Sequence, residues 1–280
     1  MCLDHRRRCR WACACGGHRA HGCRAATGRA LSTPPTSLQI RAGGDSRKGP
    51  RKTQNQDAFC RLEEHEPVRG QLFAVADGVG TVKLGQWAAR LTCLRIEQFF
   101  YSDQTITTTA LTQLVSEIDW ELRGEGKGRA ACTLSILWLH GQEAVVVHVG
   151  DSAIYQVRRG DISRITQIHG GGRGLQAFMG MGSAVSEVVQ IQKSDLREGD
   201  VFFLVTDGVS DVLAPSELSR LWVRSGGDPD LCAHNILESV SLQKGSDDAT
   251  AVVVQFLSDG SQERVESPLD APHVPGRLIG

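Results

Sequence analysis

Apolar positions along the chain form two kinds of pattern. Runs of strand length predict strands at residues 71–76, 131–139, 144–149, 153–158, 162–166, 188–193, 201–205 and 249–257. Apolar residues that recur every three or four positions predict helices at residues 84–100, 108–123, 215–223 and 228–242. Pro215 and Pro229 fit the first turns of the last two helices, where proline is tolerated.

The order of these elements predicts an α+β fold. A block of strands, two helices, a longer block of strands, two more helices and a last strand follow one another, which is typical of layered α+β proteins. Glycine-containing turns at residues 141–142 and 160–161 favour antiparallel hairpins. Two antiparallel sheets stacked between helix pairs satisfy this order, but the element pattern alone does not select that arrangement over other layered folds.

The two ends of the chain lack this periodicity. The first 52 residues hold twelve Arg and Lys but only two acidic residues, and they contain several cysteines and glycine or proline pairs. We expect residues 1–50 to form a disordered, basic, Cys- and Arg-rich leader, residues 51–258 the folded domain, and residues 259–280 a flexible tail. A transit peptide or a misassigned start codon would give the leader the same composition.

Composition argues against several classes of protein. The net charge of −1 predicts no general attraction to nucleic acid or membrane. No run of about 18 apolar residues occurs, so no transmembrane helix is expected. The four cysteines outside the leader are scattered singly among apolar residues, as in proteins of a reducing compartment. We therefore expect a cytoplasmic protein and a monomer.

Acidic residues stand where several predicted strands begin or end. These residues are Asp77, Asp151, Asp207 and the pair Asp247 and Asp248, and Asp57 directly precedes the apolar pair Ala58 and Phe59. A carboxylate at the end of a buried strand is partly desolvated, which is costly unless it is paired. Few basic residues lie beside these acids in the sequence. Each Asp-Gly pair taken singly fits a surface turn, but the whole set favours a common purpose.

Divalent cations would neutralise such a group of acids. Mg²⁺ and Mn²⁺ prefer oxygen ligands and retain several waters, so a few aspartates and one backbone carbonyl suffice. A glycine beside the acid lets its carbonyl approach the ion. The acids therefore predict a site for Mn²⁺ or Mg²⁺ ions.

Seven segments, in chain order between about residues 52 and 256, resemble the motifs of the PPM (PP2C-like) protein phosphatase family in its compact bacterial form. The segments are residues 52–58, residues 77–80 with 85–89, residues 131–133, 150–153, 165–169, 206–211 and 247–250. Each motif alone is weak, whereas the ordered series is highly specific. The resemblance implies a four-layer α-β-β-α sandwich that hydrolyses phosphoserine and phosphothreonine in proteins.

The resemblance also implies roles for particular residues. Asp77 would bridge two metal ions, the Gly78 carbonyl would bind one of them, and Asp207 and Asp247 would complete the pair. Asp57 would hold waters of the ions. A water that bridges two cations has a lowered pKa, so it becomes available for attack on phosphorus near neutral pH.

The remaining implied residues lie around this pair. Asp151 and Asp211 match the acids that hold a third, weaker metal. Lys52 stands where much of the family has a phosphate-contacting arginine, and lysine contacts phosphate as a point charge without a bidentate fork. Val79 replaces a histidine or methionine, and the segment at residues 170–174 is a short flap.

Two alternatives to a general protein phosphatase stay open. A catalytically weak or inactive scaffold could keep the fold and bind a regulatory partner, although loss of the metal-binding acids would be expected in that case. A regulator phosphatase of the same superfamily would differ only in its substrate. The leading hypothesis is an active enzyme whose phosphoprotein substrate is the product of a serine/threonine kinase.

Overall fold

The computed structural model describes residues 39–63, 69–171, 174–182 and 184–258. Two five-stranded antiparallel sheets form its centre. The first sheet has the order β1 (Gln39–Arg47), β12 (Ala249–Ser258), β11 (Val201–Val205), β6 (Ala153–Arg158) and β7 (Asp161–Arg164). The second has the order β10 (Gln190–Asp195), β5 (Glu143–Val149), β4 (Leu134–His140), β3 (Gln71–Asp77) and β2 (Asp57–Glu63).

Helices cover the outer face of each sheet. The second sheet packs against α1 (Gly85–Phe100) and α2 (Thr108–Gly126), and the first against α5 (Pro215–Arg224) and α6 (Pro229–Leu242). Short elements fill the connections: β8 (Gly170–Gly171), β9 (Gly174–Leu175), α3 (Val185–Val188) and α4 (Asp207–Ser210). The predicted α+β sandwich is confirmed. None of the helices in the described ranges is long and apolar enough to cross a membrane.

Strand β3 shows why the apolar run at residues 71–76 is continuous rather than alternating. Leu72 and Ala74 face the helices, while Phe73 and Val75 face the other sheet, and all four are fully buried. Side chains of a strand alternate between faces, so a strand with layers on both sides needs apolar residues at every position. The central strands of both sheets follow the same rule.

Strand β1 corrects the predicted start of the folded domain. It lies inside residues 1–50, which we expected to be a disordered leader, and it pairs with β12 along its whole length. Its Gly43 has the sequence appearance of a turn, but a Cβ there would lie 2.2 Å from the backbone nitrogen of Asp230. Glycine is present because the start of α6 packs directly on the strand. The predictions for residues 1–38 and 259–280 concern parts of the chain outside the described residues.

Two further elements differ from the sequence-based assignment. A strand was predicted at 188–193, but its first residue, Val188, ends the helical turn α3, and β10 starts at Gln190. The strand predicted at 131–139 begins at Leu134, and Cys132 before it forms isolated bridges to Gly78 and Met179. These differences lie at element ends, where tertiary contacts outweigh local preference.

Candidate metal centre

Asp57 and Asp77 are direct cross-strand partners at one end of the second sheet. Asp57 is only 6% exposed, and its Oδ2 accepts hydrogen bonds from the hydroxyls of Thr206 at 2.9 Å and Thr250 at 2.7 Å. Both threonines belong to the first sheet or its immediate end, so Asp57 joins the two sheets. Burial raises the pKa of Asp57 to about 6, although the two hydroxyls act against that rise.

Asp77 ends β3 and faces other acids. Its pKa is held well above the usual value, first by burial and then by repulsion from Asp57 and Asp207. Its backbone nitrogen donates to the Thr133 hydroxyl at 3.0 Å, and that hydroxyl lies 2.7 Å from the hydroxyl of Ser152. These contacts fix the end of the strand, so Asp77 cannot relieve the repulsion by moving its backbone.

Asp207 comes from the first sheet. Strand β11 ends at Val205, and Asp207 begins the short helix α4. Burial raises its pKa, a contact with Asp77 lowers it, and repulsion from Asp151, Asp247 and Asp211 raises it further. The structure thus brings together acids that are up to about 190 positions apart in the sequence, as the strand-end pattern indicated.

Asp247 and Asp248 precede β12 and have different surroundings. Asp247 is half exposed, and its Oδ1 lies 2.5 Å from the ammonium of Lys52. Asp248 is 2% exposed, and its two oxygens accept from the backbone nitrogens of Gly49 and Gln56, each at 2.8 Å. Asp248 therefore anchors the loop that carries Lys52. Sequence reasoning placed it at a strand end but gave it no role.

Lys52 places a positive charge among these carboxylates. Burial alone would lower the pKa of its ammonium, but the hydrogen bond to Asp247 and the charges of Asp247, Asp248 and Asp77 outweigh burial and raise that pKa. The lysine is therefore protonated at neutral pH. It lies where a phosphate near the acids would meet a cation.

Gly78 allows the backbone to turn tightly beside the acids. Its nitrogen donates to the carbonyl of Gln56 at 3.1 Å. A Cβ at residue 78 would lie 2.4 Å from the carbonyl carbon of Gly85 and 2.7 Å from the Gln56 oxygen. No side chain fits there without moving backbone, so the position requires glycine. The backbone next to Asp77 is thereby held close to the other acids.

Asp151 and Asp211 lie on the Asp207 side of the cluster. Asp151 is half buried, and burial is the largest cause of its raised pKa, with repulsion from Asp211 contributing. It lies in the segment that crosses from β5 in the second sheet to β6 in the first. Arg164 donates to the carbonyls of Asp151 and Ser152 at 2.8 and 3.0 Å, which fixes this crossing.

His148 supports the same crossing and was assigned no role from the sequence. Its Nδ1 lies 2.8 Å from the Ser135 hydroxyl, and its Nε2 lies 3.0 Å from the Gly150 carbonyl and 2.8 Å from that of Gln167. Burial lowers the pKa of this histidine to about 4. At neutral pH the neutral ring therefore donates from Nε2 to the carbonyls and accepts at Nδ1.

The donor set fits divalent cations that retain waters. Two buried carboxylate oxygens, Oδ1 of Asp57 and Oδ1 of Asp207, have no hydrogen-bond partner within the described residues. Over those same residues, no three acidic, histidine or cysteine side chains converge closely enough to enclose an ion by themselves. Mg²⁺ commonly binds through one or two carboxylates with water in its other positions, so the sparse set of acids suits Mg²⁺ or Mn²⁺ better than an ion that needs a full protein cage.

Two departures from the family pattern are visible in the structure. Val79 is half buried, and its backbone nitrogen donates to the carbonyl of Ala131 at 3.0 Å. Its side chain carries no proton to transfer. The short flap contains the two-residue strands β8 and β9, paired antiparallel, and His169 before it donates from its backbone to the Gly150 carbonyl at 2.8 Å. The flap therefore begins close to Asp151.

Comparison with known proteins identifies the family. A family model described as protein phosphatase 2C matches residues 47–227. Probable protein phosphatase 2C 80 of Arabidopsis thaliana is 26% identical over 237 residues, covering 78% of this chain and 55% of that protein. This chain thus spans about half the length of that relative.

Solved structures show the same fold. The serine/threonine phosphatase Stp1 of Staphylococcus aureus aligns with a TM-score of 0.72 at 18% identity, over 81% of this chain and 98% of that chain. The catalytic domain of the serine/threonine protein phosphatase PstP, solved with two manganese ions, aligns with a TM-score of 0.67 at 20% identity, over 79% and 100%. Since the family model covers well over half of the sequence, this chain belongs to the protein phosphatase 2C family.

Proposed function

We propose that this protein hydrolyses phosphoserine and phosphothreonine in protein substrates, using a water that bridges two Mg²⁺ or Mn²⁺ ions. One observation carries the proposal. The acids Asp57, Asp77, Asp207 and Asp247 meet at one end of both sheets. Within the described residues two of their buried oxygens have no hydrogen-bond partner, and the pKa values of Asp57, Asp77 and Asp207 are raised. Membership of the protein phosphatase 2C family supports this chemistry.

The proposed ligands follow from position. Asp77 lies between Asp57 and Asp207 and is suited to bridge two ions, with the Gly78 carbonyl, Asp207 and Asp247 completing the pair. Asp57 would hold waters through Oδ1, which has no hydrogen-bond partner in the described part of the chain. When bound, the two ions supply a water of lowered pKa and positive charge for the phosphoryl oxygens. The manganese-bound PstP structure supports this choice of metal.

The chain contributes further groups to the reaction. Lys52 would contact the phosphate, because its ammonium is protonated and lies among the acids. Val79 has no proton to give to the leaving serine or threonine oxygen, and solvent at the centre would supply it. Asp151 and Asp211 would hold a third, weaker ion, since both face Asp207 and Asp211 is exposed.

The biological setting is also a proposal. The substrate would be the product of a serine/threonine kinase. Cys60, Cys93, Cys132 and Cys232 are free thiols, which supports a reducing, cytoplasmic location. The alternative is a PPM-fold scaffold that binds a partner without turnover. It predicts a folded protein that is inactive with every metal.

Activity on phosphopeptides tests the proposal. Purified protein is given phosphothreonine and phosphotyrosine peptides of one sequence with Mn²⁺, with Mg²⁺ or with EDTA, beside Asp77→Ala. Asp103→Ala is the control, because Asp103 is an exposed acid between α1 and α2. We expect metal-dependent release of phosphate from phosphothreonine, retained in the control and lost in Asp77→Ala. No turnover by folded protein with any metal would favour the scaffold.

A further inference from the structure

A second charged site lies beside the metal centre. A pocket of about 520 Å³ forms between the end of β1 and the end of α6. Four cationic side chains line it, Arg47, Lys48, Arg51 and Lys244, and we call it the basic pocket. These cations come from two segments almost 200 positions apart, so the fold and not a local run of charge brings them together.

The four cationic side chains of the basic pocket differ in the hydrogen bonds and ion pairs that they make. Arg47 pairs with Glu238 at 2.6 Å and donates to the Ser241 hydroxyl at 2.8 Å. Lys48 donates to two backbone carbonyls. The side chains of Arg51 and Lys244 are exposed and make no hydrogen bond or ion pair with any residue that the structure describes. Two positive charges at the mouth of the pocket are therefore available to a ligand.

Three backbone carbonyls at the end of α6, beside the pocket, are already paired. The C-terminal carbonyls of a helix repel negative charge when they are unpaired. At the end of α6 the carbonyls of Ser239, Val240 and Ser241 accept from the nitrogens of residues 243, 245 and 244. Lys244 adopts a positive φ of 61° in this cap, which directs the chain out of the helix.

Two chain segments connect the lining of the basic pocket to the metal centre. Lys48 donates to the backbone carbonyl of Lys52, whose ammonium reaches Asp247. On the other wall, Ser246 lines the pocket and directly precedes Asp247. An extended peptide advances about 3.3 Å per residue, so a substrate with its phosphate near Lys52 would place a neighbouring side chain over the pocket.

We propose that the basic pocket is a substrate subsite for a second anionic group, a phosphate or a carboxylate, two to four residues from the phosphoserine or phosphothreonine. This inference rests on the proposed function. An ordinary solvated basic surface would give the same composition, but its cations would have no fixed relation to Lys52 and Asp247. The subsite makes substrates phosphorylated at more than one position, or rich in acidic residues, the preferred class.

Binding of non-hydrolysable peptides tests the subsite without turnover. The full chain with Mn²⁺ is titrated with fluorescent peptides that carry one phosphonate in place of phosphothreonine, with or without a second phosphonate or a glutamate two, three or four residues away. Since a surface ion pair contributes modestly, we expect the second anion to tighten binding about five- to tenfold at the best spacing. The double variant Arg51→Gln with Lys244→Gln should reduce that gain to within twofold.

The matched control is the double variant Arg90→Gln with Lys127→Gln. Arg90 is exposed on α1, and Lys127 is an exposed lysine at a helix end with a positive φ of 50°, like Lys244. The control should keep the full gain. The subsite is refuted if no spacing gives a gain, or if the Arg51 and Lys244 variant keeps it.

Two other outcomes separate this inference from related ones. If the pocket binds inorganic phosphate but a second anion on the peptide gives no gain at any spacing, the pocket takes a free anion and the substrate assignment is wrong. If the chain hydrolyses no phosphopeptide but still shows the gain in binding, the proposed function fails while the anion subsite stands.

Discussion

Replacing Asp57 by asparagine should stabilise the protein in the absence of metal. The ionised Asp57 carboxylate is buried, keeps one oxygen without a partner in the described part of the chain, and faces Asp77 across the strand pair. Asparagine has the same shape and no charge. Its carbonyl oxygen can accept from Thr206 and Thr250, and its amide can donate toward Asp77.

The magnitude follows from the pKa. Burial raises the pKa of Asp57 from 3.8 to about 6, and each unit of difference corresponds to about 1.4 kcal/mol. The ionised carboxylate therefore destabilises the metal-free fold by about 3 kcal/mol above pH 6. This penalty disappears as the pH falls from 6 toward 3.8, because the folded protein then holds the proton that its environment favours.

Thermal unfolding in EDTA at pH 7.5 and at pH 4 measures this effect. For a domain of this size about 3 kcal/mol corresponds to roughly 6–12 °C in Tm, so Asp57→Asn should unfold higher than wild type at pH 7.5 and near wild type at pH 4. Mn²⁺ should raise the Tm of wild type more than that of Asp57→Asn. Asp103→Asn, at an exposed acid, should change neither value.

Two results would refute this reasoning. A metal-free Asp57→Asn protein that is less stable than wild type at pH 7.5 would show that the carboxylate is stabilised by groups other than the two threonines. Equal stabilisation of wild type and variant by Mn²⁺ would remove Asp57 from the metal centre. Stabilising substitutions at functional sites commonly cost activity. The variant should therefore also lose phosphatase turnover.

Three further outcomes are expected. Asp248→Ala should lower the free energy of unfolding by about 2–4 kcal/mol in urea titrations, because the backbone nitrogens of Gly49 and Gln56 lose their acceptor. Asp200→Ala should cost about 3–5 kcal/mol, since Asp200 is buried and pairs with Arg158 at 2.6 Å. Chelation of the wild type should lower its Tm by several degrees at pH 7.5 and by less near pH 5, where protons replace the ions on the carboxylates.

The central strands and the acids at their ends could be predicted from the sequence for one physical reason. A strand buried on both faces needs apolar residues throughout, as Leu72 to Ala76 show, so it is visible as a continuous run. The polar residue that ends such a run is then easy to recognise, because it follows an unbroken series of apolar residues. This is why Asp77 and Asp207 could be named as site residues, and the structure brings them together.

Strand β1 and the anchor Asp248 could not be predicted in the same way. β1 is an edge strand with two glycines, and its place is fixed by its register with β12 and by close contact with α6. Asp248 gains its role from backbone nitrogens that lie 199 and 192 positions earlier. The local sequence pattern shows neither set of contacts, because a backbone group can form a hydrogen bond whatever side chain its residue carries.

The basic pocket is another feature that the local sequence pattern does not reveal. Arg47, Lys48 and Arg51 stand among many basic residues at the start of the chain, where charge alone suggests a solvated leader. The pairing of β1 with β12 changes this interpretation, because it places the three residues beside Lys244 and next to Lys52. The sequence pattern indicates the strand ends that carry the acids of the centre. It does not indicate the edge strand that brings the cations next to them. The proposed preference for substrates with a second anionic group therefore depends on a feature that only the structure shows.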